Sequence, residues 1–353
     1  MRHIFLIRHA HPDIPVGERF CLGRTDTPLG PLGRMQTALL REEFQNAAIS
    51  ALFSSPLQRC LETARAFDLP PAPVEALAEQ DMGVWDALSF AEIRRKWPEL
   101  YEKRGADPLL VPPGAETLHE VQQRAVAALE RCLSRSEGDI ALVIHASVLQ
   151  GILAFVTDTP LAESRHFRLP YGGHAVLHCE NSLSLESVEP LPSPRMTPAL
   201  AEKLLAAAAP GEKITAHCRA VAAKAGETAD AFPLPIDRDA LLSAAWLHDI
   251  ARSEVQHASA GAAWLQALGY EGIARLIRQH HDPEKDASPE ALILYICDKC
   301  VQEDRIVSLE ERFAQSAARC RDEEARAAHA GRLETARKIR AQINALCGRE
   351  VIP

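Results

Sequence analysis

Three short apolar runs in the first half of the chain are each followed by basic or imidazole side chains. The runs and the side chains that follow them are Ile4–Ile7 with Arg8 and His9, Ile49–Phe53 with Arg59, and Ile140–Ile144 with His145. Guanidinium and imidazole groups in fixed positions suit a phosphoryl group, because its charge is spread over several oxygens that need several donors. These residue types therefore predict a phosphoryl-binding site.

Each run has the uninterrupted apolar character of a strand that is buried on both faces of a parallel sheet. Helical segments are predicted between them at Arg34–Phe44, from Pro56 to about Phe67, and at Leu118–Leu133. Alternation of strand and helix is typical of a doubly wound, mostly parallel α/β fold with right-handed crossovers. Because ligands bind at the carboxyl ends of the strands in such sheets, the basic groups are expected along one edge.

A second set of side chains that could do chemistry lies on or beside helix-patterned segments of the other half. Its members are His217, His248, Asp249, His257, His280, His281 and Asp298. Imidazole and carboxylate groups together suit Fe, Mn, Zn or similar ions. His248 and Asp249 are consecutive, so two neighbouring side chains have to turn toward one centre.

A Pro-rich stretch from Glu189 to Pro198 separates the two halves. Proline restricts itself and the residue before it to extended conformations, so this stretch is expected to be a semi-rigid spacer. Beyond it the strand-like runs disappear and helices are predicted at Pro198–Ala208, Lys213–Ala225, Arg238–His248, Ala258–Leu268, Gly272–His280, Pro289–Glu303 and Ser308–Ala345, the last with a possible break. The predicted organisation is an α/β domain (1–188), a linker (189–198), an all-α domain (199–310) and a helical extension (311–353).

The bulk properties limit the class of protein. The chain has 353 residues, enough for two domains, and a net charge of -9 that argues against a general binder of nucleic acid or anionic membranes. The N-terminal apolar run is shorter than a signal peptide requires, and we find no apolar stretch of the length that a bilayer needs. The nine irregularly spaced cysteines are expected to be free thiols in a reducing cytoplasm.

The motifs of the first half resemble the histidine phosphatase (phosphoglycerate-mutase-like) superfamily over about residues 1–188. In the family's order they are Leu6-Ile7-Arg8-His9, Gly23-Arg24-Thr25-Asp26, Ser54-Ser55-Pro56-Leu57-Gln58-Arg59, Leu77-Ala78-Glu79, Gly83-Val84-Trp85 and Val143-Ile144-His145. The Gly-Arg-Thr-Asp loop is more similar to the α-ribazole phosphatase branch than to the glycolytic mutases.

The resemblance implies a role for each matched residue and needs no metal or other cofactor in this domain. His9 would attack phosphorus and carry a transient phosphohistidine. Glu79 would protonate the leaving oxygen and later activate water. The residues that would hold the phosphoryl oxygens are Arg8, Arg59 and His145, with Arg24 either a substrate contact or a surface arginine.

Two positions depart from the family pattern. Ala10 stands where the family usually has Gly, and Ala146-Ser147 stands where a Gly-rich turn is common. All of these replacements are small, so we expect the site to tolerate them.

The motifs of the second half resemble the HD phosphohydrolase superfamily over about residues 199–310. The matching stretches are Ala216-His217-Cys218, Trp246-Leu247-His248-Asp249-Ile250-Ala251 and Ile296-Cys297-Asp298-Lys299. The further histidines are similar to those of dinuclear members, notably the YqeK-like enzymes that cleave diadenosine tetraphosphate. The resemblance implies that one ion is held by His217, His248, Asp249 and Asp298, and that His257 and His280 help to hold a second, with Asp249 bridging.

These motifs together predict a cytoplasmic bifunctional phosphohydrolase. One domain would hydrolyse phosphomonoesters through a phosphohistidine, and the other would use one or two divalent or ferric ions to hydrolyse a nucleotide or related phosphorylated metabolite. Two alternatives stay open: an HD domain that senses a nucleotide and regulates the phosphatase, and a first domain that is a phosphoglycerate-mutase-type phosphotransferase. Small phosphorylated molecules are the expected partners, and the sequence leaves the substrates and the oligomeric state open.

Overall fold

The computed structural model describes residues 2–318 and 320–353. Residue 1 of the predicted α/β domain and residue 319 of the predicted segment Ser308–Ala345 lie outside the described residues. The chain divides into two compact units between Pro192 and Ser193. This division falls inside the predicted Pro-rich stretch, although Glu189 still belongs to a strand. The domain limits given above stay predictions.

The first unit contains a six-stranded sheet, a two-stranded pair and six longer helices among the residues that the structure describes. Its strands are β1 (Arg2–Arg8), β2 (Phe20–Cys21), β3 (Ile49–Ser54), β4 (Ala72–Pro73), β5 (Leu88–Ser89), β6 (Asp139–Ile144), β7 (His174–Cys179) and β8 (Leu183–Glu189). Its helices are α1 (Pro31–Phe44), α2 (Gln58–Thr63), α3 (Phe90–Lys96), α4 (Pro98–Ala106), α5 (Leu118–Ser134) and α6 (Ala146–Val156).

The large sheet has the strand order β4-β3-β6-β1-β7-β8. Strands β4, β3, β6 and β1 are parallel, whereas β7 and β8 are antiparallel strands at one edge. The predicted α/β fold with a mostly parallel sheet is therefore confirmed, and the antiparallel edge is an addition that the apolar runs did not indicate.

The register of the parallel strands brings their carboxyl ends level. Arg8 of β1 is opposite Ile144 of β6, and Ser54 of β3 is opposite Val143 of β6. The residues that follow the three strands therefore emerge at the same edge of the sheet, as expected for a parallel arrangement.

Apolar side chains cover both faces of this sheet. Ile4 and Leu6 of β1 pack in a cluster with side chains of α5 and α6, and Ile7 packs in a second cluster with Leu40 and Phe44 of α1. Ile4, Leu6 and Ile7 are fully buried, which contributes roughly 1.5–3 kcal/mol for each side chain. This two-sided burial explains why the run in β1 is unbroken rather than alternating.

Local sequence signals fix the start of the long helix α5. The Thr117 hydroxyl accepts from the Glu120 amide at 3.2 Å, and the Glu120 carboxylate accepts from the Thr117 amide at 2.8 Å. This capping box satisfies backbone donors that would otherwise have no partner in the helix. The observed helix Leu118–Ser134 agrees with the prediction to one residue.

The second unit is helical with one short hairpin. Its elements are α7 (Pro198–Ala208), α8 (Glu212–Ala231), α9 (Arg238–Leu247), α10 (His257–Ala267), α11 (Glu271–Gln279), α12 (Pro289–Lys299), β9 (Val301–Gln302), β10 (Arg305–Ile306), α13 (Leu309–Ala317) and α14 (Glu323–Cys347). A helical unit agrees with the expected all-α class.

Two helix ends in the second unit were predicted wrongly. The segment predicted as Lys213–Ala225 continues to Ala231 in α8. The segment predicted as Pro289–Glu303 leaves the helix at Lys299 and enters the β9–β10 hairpin, where Glu303 has a φ of +55°. The possible break in Ser308–Ala345 is confirmed, because this segment is two helices, α13 and α14.

Two further properties bear on the class of protein. No helix among residues 2–318 and 320–353 has both the length and the apolar character that crossing a membrane demands. All nine cysteines are free.

A pair of glycine substitutions tests how closely the loop after β1 packs on α1. A Cβ at Gly33 would overlap the His11 carbonyl oxygen, whereas a Cβ at Gly105 in α4 has no neighbour within 4 Å. We expect Gly33→Ala to lower the free energy of unfolding by about 1–3 kcal/mol through overpacking. Gly105→Ala, the matched control, should leave it unchanged or raise it by up to about 1 kcal/mol through helix propensity. Equal melting temperatures for the two variants would contradict this packing.

Candidate active site and candidate metal centre

His9 follows β1 directly and is 5% exposed. Its ring Nδ1 lies 2.8 Å from the carbonyl oxygen of Ala10. Because a carbonyl only accepts, Nδ1 carries the proton of the neutral ring and Nε2 keeps its lone pair. Burial, followed by the charges of Arg59 and Arg8, lowers the pKa of His9 well below its ordinary value. The ring is therefore a neutral imidazole with a free nucleophilic nitrogen.

Arg59 is fully buried beside this ring. It donates from Nη1 to the Thr25 carbonyl and from Nη2 to the Gly23 carbonyl, both at 2.8 Å. The loop that supplies these carbonyls is held by one side chain, because the Asp86 carboxylate accepts from the amides of Gly23, Arg24 and Thr25 at 2.7, 3.0 and 2.9 Å. Asp86, which the sequence motifs did not single out, thus fixes Arg59 indirectly.

Arg8 lies at the same strand end as His9. It donates to the Leu169 carbonyl, and its guanidinium carbon is 4.1 Å from the centre of the Tyr171 ring. The Nε atoms of Arg8 and Arg59 are buried, and neither has a hydrogen-bond partner in the described part of the chain. Donors left unsatisfied beside a neutral imidazole fit an anion that completes the site.

His145 caps the start of α6 and is fully buried. Its ring centre is 5.0 Å from that of His9, and its Nε2 is 2.7 Å from the Ser55 hydroxyl and 3.3 Å from the Cys60 sulfur. Burial and the nearby charge of Arg59 lower the pKa of His145 well below its ordinary value. The structure thus brings the two histidines together as the strand register requires.

Glu79 lines the same cavity of about 660 Å³ as Arg8 and His9. The carboxylate accepts from the Gln80 amide at 2.8 Å and from the Ser147 amide at 3.4 Å. Burial nevertheless outweighs these hydrogen bonds and raises the pKa of Glu79. A carboxyl group with a raised pKa beside a neutral imidazole suits general acid chemistry.

Arg24 lies apart from this group. Its side chain is 39% exposed, and its guanidinium is 3.8 Å from the Glu116 carboxylate. The loop therefore serves the site through its backbone, while the Arg24 side chain faces another charge. Of the six residues predicted here, Arg8, His9, Arg59, Glu79 and His145 gather at the strand ends, and Arg24 does not.

A half-buried ion pair that the sequence motifs did not single out holds the segment that carries Glu79. Arg124 of α5 donates to the carbonyls of Ala76 and Ala78, both at 2.7 Å, and to the Glu79 carbonyl at 3.2 Å. It also contacts the Glu116 carboxylate at 2.6 and 2.9 Å. One guanidinium thus binds three backbone carbonyls of the segment that carries Glu79.

The two departures from the family pattern fit this site. Ala10 is fully buried, and its amide donates to the Thr63 hydroxyl at 2.9 Å. Ser147 contacts the Glu79 carboxylate through its amide and the Gln80 side chain through its hydroxyl at 3.2 Å. Neither replacement obstructs the cavity.

The second unit gathers imidazole and carboxylate groups into two sets that share Asp249. Asp249 Oδ2 is 4.0 Å from His217 Nε2 and 3.9 Å from His248 Nε2. Asp249 Oδ1 is 3.2 Å from His257 Nε2 and 3.6 Å from His280 Nε2. Donor atoms at these separations suit a metal ion with bonds of about 2.0–2.2 Å, and the two oxygens of Asp249 face different sets.

Asp298 lies beside the two histidines of the first set. Its Oδ1 is 3.1 Å from His217 Nε2 and 3.5 Å from His248 Nε2, and its Oδ2 is 2.6 Å from Lys299 Nζ. Burial opposes its ionisation, but Lys299 and the histidines lower the pKa of Asp298 well below its ordinary value. The carboxylate is therefore ionised, as a metal ligand must be.

Two orphaned nitrogens indicate that these sets fit a metal. His248 Nδ1 lies 2.8 Å from the Ala245 carbonyl oxygen, and His280 Nδ1 lies 2.6 Å from the Ile277 carbonyl oxygen. Because a carbonyl only accepts, each ring carries its proton on Nδ1. Both Nε2 atoms are buried without a hydrogen-bond partner among the described residues. A buried lone pair without a donor is costly unless an ion or another ligand occupies the site.

His281, to which the sequence assigned no role, lies in the second set. Its Nε2 is 2.8 Å from His257 Nε2, and its Nδ1 is 3.2 Å from Lys299 Nζ. The donor atoms of Asp249, His257, His280 and His281 all lie within 4.8 Å of one another. Consecutive histidines can face one centre because α11 ends at Gln279 and the chain turns there.

Comparison with known families agrees with both halves of this description. The histidine phosphatase superfamily (branch 1) matches residues 4–185, more than half of the chain, so the chain belongs to this superfamily. The HD domain family matches residues 214–302. The two resemblances drawn from the sequence motifs are confirmed at this level.

Similar proteins cover parts of the chain. Bifunctional protein Rv2228c of Mycobacterium tuberculosis is 30% identical over 161 residues, which are 44% of this chain and 44% of that protein. Phosphoserine phosphatase 1 of Hydrogenobacter thermophilus is 27% identical over 187 residues, which are 51% of this chain and 88% of that protein. The chain thus spans less than half the length of the first of these relatives.

The solved structure of Mycobacterial hydrolase 2 is similar in fold, with a TM-score of 0.52. The sequence identity is 22%, and the match covers 59% of this chain and 97% of that chain. At this identity the likeness shows the fold alone.

The metal fit can be tested by binding. Because Asp249 faces both histidine sets, we expect Asp249→Ala to abolish Mn²⁺ uptake by the full chain. In the wild type, Mn²⁺ at a hundredfold excess over Kd should raise the free energy of unfolding of the second unit by about 2.7 kcal/mol. Its melting temperature should rise accordingly. Elemental analysis, calorimetric titration and thermal unfolding measure these effects.

A matched control for the metal test is His329→Gln, which removes an imidazole of the same unit that contacts Ser316. This variant should bind Mn²⁺ like the wild type. Absence of Mn²⁺, Fe²⁺ and Zn²⁺ binding by the wild type would contradict the metal centre.

Proposed function

We propose that this member of the histidine phosphatase superfamily is a bifunctional phosphohydrolase, with a metal-independent phosphomonoesterase in its first unit and a metal-dependent phosphohydrolase in its second. The observation that carries the first activity is the free Nε2 of neutral His9 near Arg8 and Arg59, whose buried Nε atoms have no hydrogen-bond partner among the described residues. The observation that carries the second is the pair of orphaned Nε2 atoms facing Asp249.

In the first unit, His9 Nε2 attacks phosphorus, and the bond from phosphorus to the leaving oxygen breaks as the phosphorus–nitrogen bond forms. Burial raises the pKa of Glu79 and so favours its protonated form, which gives its proton to the leaving oxygen. Arg8, Arg59 and His145 donate to the phosphoryl oxygens.

Hydrolysis of the phosphohistidine reverses the role of the carboxyl group. The Glu79 carboxylate takes a proton from water as the water oxygen attacks phosphorus, and the phosphorus–nitrogen bond breaks. Inorganic phosphate leaves, and His9 returns to the neutral state with Glu79 protonated. The relative named phosphoserine phosphatase supports a phosphomonoester as the substrate.

In the second unit, His217, His248, Asp249 and Asp298 would hold one ion, and Asp249, His257 and His280 would help to hold a second. Bound ions would supply a hydroxide nucleophile and polarise a phosphoryl oxygen. A nucleotide or related phosphorylated metabolite is the proposed substrate. The full set of donors supports turnover rather than regulation by nucleotide binding alone, because a sensor does not require two aligned ligand sets.

Two variants separate the proposed activities. Phosphate release would be measured over phosphomonoesters, nucleotides and dinucleoside polyphosphates, with and without a chelator. We expect His9→Ala to lower a chelator-resistant phosphomonoesterase activity by at least about 10³-fold, because it removes the nucleophile. We expect Asp249→Ala to lower a chelator-sensitive phosphohydrolase activity by at least about 10³-fold, because it removes the shared metal ligand.

Each variant controls for the other, since the substitutions lie in different units. If Asp249→Ala changes only the regulation of the His9-dependent activity, the second unit is a sensor. If His9→Ala keeps full phosphomonoesterase activity, the proposal for the first unit is wrong.

The role of Glu79 predicts a dependence on pH and on the leaving group. Activity requires neutral His9 and protonated Glu79, so it should fall as pH rises through the raised pKa of Glu79. Glu79→Gln should remove this basic limb and lower kcat/KM for alkyl phosphates by about 10²–10⁴-fold. For p-nitrophenyl phosphate, whose phenolate leaves without a proton, the loss should be much smaller.

The Arg124 contacts predict that substitution of Arg124 lowers activity less than substitution of Glu79, with the same dependence on the leaving group. Arg124→Met should lower kcat for alkyl phosphates more than for p-nitrophenyl phosphate, because it releases the backbone of Glu79. Arg131→Met, an exposed arginine of the same helix, is the control. Equal losses for both leaving groups would show that Arg124 supports only the fold.

A further inference from the structure

The cavity that holds His9 extends well beyond the space of a phosphoryl group, with a volume of about 660 Å³. Four arginines outside the proposed catalytic group line it: Arg19, Arg104, Arg165 and Arg168. In the part of the chain that the structure describes, we find no carboxylate within 4 Å of any of these four guanidinium groups. This charge has no assigned role in the chemistry at His9.

Two of these arginines are placed by backbone carbonyls rather than by counter-ions. Arg104 donates from Nη1 to the Pro108 carbonyl at 2.7 Å and also to the Leu110 carbonyl. Arg165 donates to the carbonyls of Gly105 and Arg104 at 2.7 and 2.8 Å. Backbone carbonyls thus orient both side chains, and exposed Arg165 donates to the backbone of half-buried Arg104 itself.

Holding like charges together is unfavourable without an anion. Burial, followed by the charge of Arg165, lowers the pKa of Arg104. Arg168 similarly acts on Arg8 at the phosphoryl end, so positive charge extends along the cavity. A bound anion would offset this repulsion.

Acidic residues on the cavity wall do not neutralise this end. Besides Glu79, the acidic lining residues are Glu18 and Glu102. The Glu102 carboxylate is 3.7 Å from Arg94, which does not line the cavity, and both Glu18 and Glu102 are exposed. Arg19, Arg165 and Arg168 are exposed as well and Arg104 is half-buried, so the cavity wall has four arginines against these two carboxylates.

We propose that Arg104 and Arg165 form a second anion subsite, which binds a carboxylate or phosphate carried by the leaving group of the substrate. The substrate class is then a phosphomonoester with a second anionic group. This inference rests on the proposed function of His9, and it gives that site a preference that the phosphoryl contacts alone do not supply.

The test compares substrates that differ only in the second group. One series has propyl phosphate, 3-(phosphonooxy)propanoate and propane-1,3-diyl bisphosphate, and a second series has the six-carbon equivalents, because the two lengths reach different distances. The wild-type full chain should show kcat/KM at least about tenfold higher for one or both anionic members than for the alkyl phosphate, as a charge-assisted contact provides. A preference for only the carboxylate or only the bisphosphate identifies which anion the subsite takes.

Variants then locate the preference. Arg104→Met and Arg165→Met should each reduce kcat/KM for the preferred anionic substrate by about tenfold and leave that for the alkyl phosphate within about twofold. Arg131→Met should change neither. A variant that fails to fold leaves the wild-type comparison, which needs no variant, as a sufficient test.

The outcomes separate this inference from the proposed function. Equal kcat/KM for all members of both series in the wild type would overturn the subsite, as would equal losses for alkyl and anionic substrates in both arginine variants. If His9→Ala retains activity toward every member, the proposed function has failed instead.

Discussion

The parallel register of three strands is the constraint on which the first unit depends. Because β1, β3 and β6 end level, His9, the helix that carries Arg59, and His145 emerge side by side at one edge. A slip of one residue in this register would exchange the faces of every side chain in the strand. The two-sided apolar burial of β1 makes such a slip costly, so the packing of the core also fixes the distances in the site.

The same edge has to tolerate charges that water does not reach. Arg59 is fully buried, and its guanidinium donates to the carbonyls of Gly23 and Thr25 rather than to a carboxylate. The neutral state of His9 and His145 follows from the same surroundings, since burial and the neighbouring cations both disfavour further positive charge. The fold therefore places guanidinium groups beside neutral imidazoles, and the proposed phosphoryl transfer uses this combination.

The second unit meets a similar requirement with helix ends. His248 and Asp249 follow α9, and His280 and His281 follow α11, where consecutive side chains are no longer held 100° apart by helical geometry. Carbonyl oxygens three residues earlier orient the imidazoles of His248 and His280. Short-range backbone geometry thus prepares a centre whose members are far apart in the sequence.

The sequence predicted the elements whose signals are local and left out those that depend on distant partners. Strands β1, β3 and β6 and helices such as α5 and α7 have strong apolar patterns or caps, and they were found within a few residues. Strand β7, which pairs with the distant β1, and strand β8 were not predicted. Helices α3, α4 and α6 were also not predicted: the capping box of Ser89 and Glu92 in α3 is a local signal that was missed, and α4 buries no residue that could give an apolar pattern. The motifs likewise indicated Arg59 and Glu79 but not Asp86 or Arg124, whose importance lies in the groups they contact.

The way in which Asp86 holds the loop from Gly23 to Thr25 has an evolutionary consequence. Asp86 binds amides and Arg59 binds carbonyls, so this loop is recognised almost wholly through atoms that every residue type possesses. Gly23 is the exception, since a larger residue there would meet the Gln80 carbonyl oxygen at 2.7 Å. Side chains at positions 24 and 25 are therefore free to diverge without disturbing Arg59, and related proteins can acquire new selectivity at this rim while the phosphoryl-transfer apparatus is inherited unchanged.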